Sequence, residues 1–138
     1  MTVIGYAPGA YDLFHIGHLN ILTQAAEQCD KLIAGVVTDA VVLRAKGKAP
    51  VIPLAERLAI VRSVRYVDEA VPDPYVDKFQ MWPQLRYDVL FKGDDWRGTE
   101  KGEALQARLA EVGARVVYFP YTLHTSSTLL RKMISMPS

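Results

Sequence analysis

His15 and His18 stand three residues apart, with Gly17 just before the second, in the stretch Gly9-Ala10-Tyr11-Asp12-Leu13-Phe14-His15-Ile16-Gly17-His18. A short apolar run, Val3-Ile4-Gly5-Tyr6, precedes it, and an amphipathic run from Leu19 to Gln28 follows. That order reads as strand, tight turn, helix. A helix beginning near Ile16 places both imidazoles on its first turn, where unpaired backbone N–H groups and the helix dipole favour anions. Neutral or cationic donors converging on one spot suit a phosphate chain. A lone histidine is more often a satisfied core residue, but a pair at a strand-to-helix turn points to phosphate chemistry.

The elements that must hold this pair come from a chain of 138 residues, half of them apolar. That length predicts one domain over 1–138 with a real core. A net charge of +1 argues against a nucleic-acid or membrane-surface protein. The single cysteine, Cys29, permits no intrachain disulfide and fits a reducing, cytoplasmic setting. Nothing reads as a signal peptide, and no apolar run approaches the ~20 residues of a membrane span.

Taken in order, Leu19, Leu22, Ala26 and Cys29 give the first helix its inward face. Lys31 to Val37 is almost continuously apolar, as in a parallel strand covered on both faces. Thr38 is a candidate helix cap. Arg44-Ala45-Lys46-Gly47-Lys48-Ala49-Pro50 reads as a mobile cationic loop. Pro53 opens a helix with Leu54, Leu58, Val61 and Val64 as its stripe and Arg57 and Arg65 on other faces. Tyr66 to Val71 reads as a short strand stopped by Pro72-Asp73-Pro74. A helix over 75–85 is expected, distorted by Pro83. Tyr87 to Phe91 is a strand. Thr99 to Val112 is a helix with Leu105, Leu109 and Val112 inward and Gly113 capping it. Arg115 to Phe119 is the last strand, and a capped helix runs from Ser126 or Ser127 to Met133.

Strands alternating with helices about five times predict an α/β fold: a doubly wound five-stranded parallel sheet with helices on both faces. Ligands of such sheets bind at the carboxyl ends of strands. Polar clusters fall there after the first strand (His15, His18), the second (Asp39, Lys46), the fourth (Asp94, Asp95) and the fifth (Tyr121 to Ser127). No G-x-x-x-x-G-K-[ST] and no G-x-G-x-x-G occurs, so neither of those phosphate loops is present. No Cys/His set supports a structural metal.

H-I-G-H with its following helix, V-R-Y-V-D-E and the late S-S-T resemble the H-x-G-H nucleotidyltransferase superfamily, whose domain is Rossmann-like. Arg65 to Glu69 with Gly93-Asp94-Asp95-Trp96 narrows the resemblance to the cytidylyltransferase family, foremost the members acting on glycerol 3-phosphate. The resemblance covers nearly the whole chain. It implies in-line attack of a substrate phosphate on the α-phosphate of CTP, with pyrophosphate leaving and Mg²⁺ accompanying the triphosphate. His15 and His18 would donate to the phosphates, and Lys46, with Lys48 or Arg44 as alternates, would clamp them. Gly9, Ala10, Tyr11, Asp12, Gly17, Gly93, Asp94, Asp95, Thr125, Ser126 and Ser127 would line the nucleotide site. Arg65 would bind the acceptor's phosphate or brace a homodimer, and Tyr121 and His124 would face substrate. An adenylyltransferase of a sugar phosphate, or a cytidylyltransferase for another phosphate or phosphonate, is the alternative.

The family's late R-T-x-G-I-S-T motif departs here to Tyr121-Thr122-Leu123-His124-Thr125-Ser126-Ser127. Tyr121 lacks a guanidinium's charge and fork. Ala10 also replaces the family's small polar residue. These changes bear on acceptor identity and base choice.

Overall fold

Five parallel strands form the sheet, and their order places the first strand at its centre. A computed structural model of the chain describes residues 1–120 and 127–135. The strands are β1 (Ile4–Gly9), β2 (Lys31–Val37), β3 (Glu69–Asp73), β4 (Val89–Gly93) and β5 (Arg115–Phe119), in the order β3-β2-β1-β4-β5. This is the Rossmann-like doubly wound arrangement, with its reversal of strand order at β1/β4. In the register, Tyr6 lies beside Ile33 and Leu90, and Ala7 beside Ala34. Alternation sends Ala7, Ala34 and Phe91 to one face and Tyr6, Ile33 and Leu90 to the other.

The first face is covered by α1 (Ile16–Ala26) through Leu22 and Ala25, and by α3 (Leu54–Arg62) through Leu58 and Val61. The second is covered by a 3₁₀ turn (Lys78–Met81), α4 (Trp82–Leu85) and α5 (Glu100–Glu111) through Met81, Trp82, Leu105 and Leu109. Both faces being dry explains the near-continuous apolar composition of β2. At the amino rim, three carboxylates close the strand N–H groups. Asp30 accepts from Val3 N at 2.7 Å, Asp88 from Ile4 N at 2.8 Å and Asp68 from Leu32 N at 2.7 Å. No helix among the described residues is long and apolar enough to cross a membrane.

Several local expectations are corrected. The stretch 44–50 is not simply a loop: α2 (Asp39–Lys46) carries Arg44 and Lys46 on its last turn, and Gly47 caps it at φ 74°. Lysine and arginine suit that carbonyl-rich end, and glycine suits the left-handed cap. Thr38 holds the N-cap position but its side chain makes no capping bond. The third strand begins later than expected and runs through Pro72, which pairs in register with Val36. Proline is tolerated because β3 is an edge strand. The segment 75–85 splits into the 3₁₀ turn and α4, with Pro83 in its first turn. Val112 is exposed rather than inward, because α5 ends at Glu111 and Gly113 turns the chain at φ 81°. The last described element is α6 (Ser127–Ser135).

Candidate active site

The turn between β1 and α1 is held open at a backbone cost. Tyr11 and Leu13 adopt φ 53° and 50° without being glycine, about 1–3 kcal/mol of strain each. The surroundings supply the hold. Tyr11 Oη donates to the Ala7 carbonyl at 2.7 Å. The Asp12 carboxylate accepts from Val51 N at 2.8 Å, Ile52 N at 2.9 Å and Arg131 Nη2 at 2.5 Å. Burial pushes the Asp12 carboxyl up, but the Arg131 guanidinium and the two amides outweigh it and hold it below the ordinary range. Asp12 is thus fully engaged within the protein. It orients the turn.

Hydrogen bonds fix both imidazoles. His15 Nδ1 accepts from Gly17 N at 3.0 Å, making His15 the N-cap of α1, and His18 Nδ1 accepts from His15 N at 3.2 Å. The two close a capping box of the usual reciprocal kind, built here from imidazoles. A nitrogen that accepts carries no proton, so the neutral rings bear theirs on Nε2. The rings stack 4.0 Å apart. Ser127 Oγ donates to the Asp12 carbonyl at 2.6 Å and lies 3.3 Å from His15 Nε2, from which it can accept. Burial, then His15 and Lys46, pull the His18 pKa down to about 3, and burial lowers His15 too. The site therefore offers neutral Nε2–H donors.

Arg57 is the second organiser, and sequence reading misplaced it. It lies three residues after Leu54 and four before Val61, on the inward face, and is 1% exposed. Its Nε donates to the Ile52 carbonyl at 2.8 Å, Nη1 to Ala10 and Val37 carbonyls at 2.7 Å, and Nη2 to Asp39 at 2.5 Å. It thereby ties the carboxyl ends of β1 and β2 together and engages Asp39.

A cavity of about 790 Å³ opens above these strand ends. Gly9, Ala10, Tyr11, His18, Lys46, Gly93, Asp95 and Ser127 line it, so residues far apart in sequence do converge. Gly17 is buried and His15 stands beside Ser127. Lys48 lies instead in an adjoining cationic cleft of about 360 Å³ with Lys46, Arg131 and Lys132. Asp94 starts the 3₁₀ turn after β4 (Asp94–Trp96) and does not line the cavity. Arg65 is exposed in the α3–β3 connection, at the amino end of the sheet, and does not line the cavity. Tyr121, His124, Thr125 and Ser126 lie outside the described residues. The cavity also holds Lys78 and Lys92, neither of them singled out from the sequence, and Trp96 of the Gly93-Asp94-Asp95-Trp96 stretch. The end of the third strand is polar as well, with Asp73, Asp77 and Lys78, a signal visible in the sequence. Among the described residues no three His, Cys, Asp or Glu side chains gather as a cation cage.

A doubly wound sheet with an H-x-G-H turn beside its switch point defines a nucleotidyltransferase-type domain. Comparison with known proteins is more specific. The Cytidylyltransferase-like family profile matches residues 6–133, and the chain belongs to that family. It is 39% identical over 95 residues to the ethanolamine-phosphate cytidylyltransferase of Arabidopsis thaliana, covering 65% of this chain and 22% of that one. It is 38% identical over 130 residues to the bifunctional protein HldE of Streptomyces coelicolor, covering 94% and 27%. The chain thus spans about a quarter of the length of these curated relatives. Among solved structures, the lipopolysaccharide core biosynthesis protein of Thermoplasma volcanium superposes with a TM-score of 0.73 at 24% identity, covering 91% of this chain and 100% of that one. That likeness speaks to the fold.

Proposed function

We propose that this domain transfers CMP from CTP to a small alcohol phosphate, glycerol 3-phosphate foremost, and releases pyrophosphate. The observation that carries the reading is the imidazole pair, locked as Nε2–H donors at the start of α1 beside the cavity. Such donors steady charge that builds on the phosphate chain as the diphosphate departs. They cannot serve as bases, because each Nδ1 is already occupied and each Nε2 already carries its proton. The attacking oxygen must therefore arrive ionised. A phosphate monoester, with a second pKa near 6, meets that requirement and a plain alcohol does not.

Lys46 supports the same reading, since it lines both the main cavity and the cationic cleft and can reach the distal phosphates. Cytosine is supported by the family and by the name of the plant relative, a cytidylyltransferase. Mg²⁺, with no cage of described side chains to hold it, would ride on the triphosphate. Arg65, exposed and remote from the cavity, is assigned to bracing a homodimer.

The test is pyrophosphate release over a grid of CTP and ATP against glycerol 3-phosphate, phosphoethanolamine, a sugar phosphate and an alcohol. Release with CTP and a phosphate monoester, and none with the alcohol, supports the reading. Turnover confined to ATP transfers it to an adenylyltransferase, and silence throughout ends it.

A further inference from the structure

The cationic cleft beside the main cavity is built from two parts of the chain that meet only in the fold. Lys46 and Lys48 come from the end of α2 and the turn after it, and Arg131 and Lys132 come from α6. No carboxylate lines the cleft, and among the described residues none of its three lysines has an acidic partner. Only Arg131 is paired, to Asp12. Four cations around about 360 Å³, against one carboxylate, leave a surplus of positive charge that an anion offsets.

Arg131 is placed to meet that anion. Its side chain is 24% exposed. Among the described residues both hydrogen bonds of its fork leave from Nη2, to Asp12 Oδ2 at 2.5 Å and to the Ala49 carbonyl at 3.4 Å. Nε is buried and has no acceptor there. A guanidinium carries five donors, so most of this one is uncommitted. Ser127 stands four residues earlier on the same face of α6, and its Oγ lies 3.3 Å from His15 Nε2. One helical turn therefore separates Arg131 from the imidazole pair. Lys46 joins the two regions from the other side, because it lines both the cavity and the cleft and its charge is felt at His18. A phosphate chain that starts at the imidazoles and passes Lys46 ends in the cleft.

Tyr121 supplies the reason for such a residue. The family's late motif opens with an arginine, and this chain has there a phenol with neither charge nor fork. We propose that Arg131 holds Asp12 with one nitrogen and the terminal phosphate of the nucleotide with the others, so that the residue steadying the imidazole turn also reads whether a third phosphate is present. The proposal rests on the nucleotidyl-transfer reading. It makes Arg131, with Lys48 and Lys132 around it, the element that distinguishes a nucleoside triphosphate from the diphosphate.

The experiment measures dissociation constants for CTP and CDP, each with Mg²⁺, by calorimetry. It uses the full chain, Arg131→Met, Arg131→Lys, Asp12→Asn and the double variant Lys48→Met/Lys132→Met. The readout is the ratio of the two constants. A loosened imidazole turn weakens both nucleotides alike, whereas a lost terminal-phosphate contact weakens CTP alone. Arg131→Met should weaken CTP about tenfold or more relative to CDP. Arg131→Lys should recover part of the ratio, and the double lysine variant should lower it by a smaller factor. Asp12→Asn should weaken both nucleotides and keep the ratio. A wild-type ratio in both Arg131 variants overturns the proposal. So does a ratio in Asp12→Asn that falls as far as in Arg131→Met, or a wild type that binds CTP no more tightly than CDP. Should Arg131→Met fail to fold, Arg131→Lys and the double lysine variant decide: a lowered ratio sustains the proposal and a wild-type ratio overturns it. If the ratios come out as expected but no acceptor releases pyrophosphate, the transfer reading fails and the terminal-phosphate site stands.

Discussion

Replacing Arg57 by Met tests the view that one buried guanidinium builds the floor of the site. The change keeps the bulk of the side chain and removes every donor. It strands the carbonyls of Ala10, Val37 and Ile52, each now bonded at 2.7–2.8 Å. An unsatisfied buried polar group costs about 1–3 kcal/mol, and such terms do not simply add. Breaking one side of a buried charge network costs about 3–5 kcal/mol. Asp39 contributes little of this, because its side chain is 49% exposed and water replaces the lost partner. The expected loss for Arg57→Met is therefore about 3–5 kcal/mol, and for Asp39→Asn under about 1 kcal/mol. For a chain of this size that is a fall in Tm of roughly 10–20 °C for the first and a few degrees for the second. Arg57→Lys should also lose about 2–3 kcal/mol, since one ammonium cannot reach carbonyls spread over a fork. Urea unfolding followed by circular dichroism measures all three. A Met variant within half a kcal/mol of wild type, or an Asn variant as damaged as the Met one, would refute the assignment of the cost to the carbonyls.

Two further outcomes follow from the histidines. His15→Asn and His18→Asn should each lower kcat about a hundredfold while costing about 1 kcal/mol or less, because an amide oxygen still caps a helix start; a full rate in the double variant would remove the proposed role of the pair. Acid should destabilise the fold through His18: the unfolded chain takes up a proton below about 6.5, whereas the native ring resists until about 3. Stability should then fall by about 1.4 kcal/mol per pH unit between those values, and His18→Asn should flatten that slope in urea melts at pH 5 and 7.

The sheet was legible because apolar runs and their polar ends share one period. Lys31 to Val37 and Tyr87 to Phe91 are strands close to where composition put them, and the H-x-G-H turn sits on the predicted helix start. Failures have local causes. Pro72 looked like a breaker because sequence does not announce that its strand is at an edge. Arg57 looked like a surface residue because charge overrode its spacing, which was inward all along. Lys78 escaped notice because the network that places it, Tyr6 reaching Asp73 across Gly35, joins three strands and leaves no trace at any single position. The partners of Asp12, the amides of Val51 and Ile52, lie about 40 residues away and could not be read from its own neighbourhood.

The clamp on the imidazole turn is also a matter of timing. Arg131 grips Asp12 across 119 residues, and Ser127 meets His15 across 112. Closing so long a separation comes late in folding. A growing or truncated chain that stops short of Arg131 holds the histidines but lacks what orients them. Biosynthesis therefore delays the working grip until Arg131 has emerged.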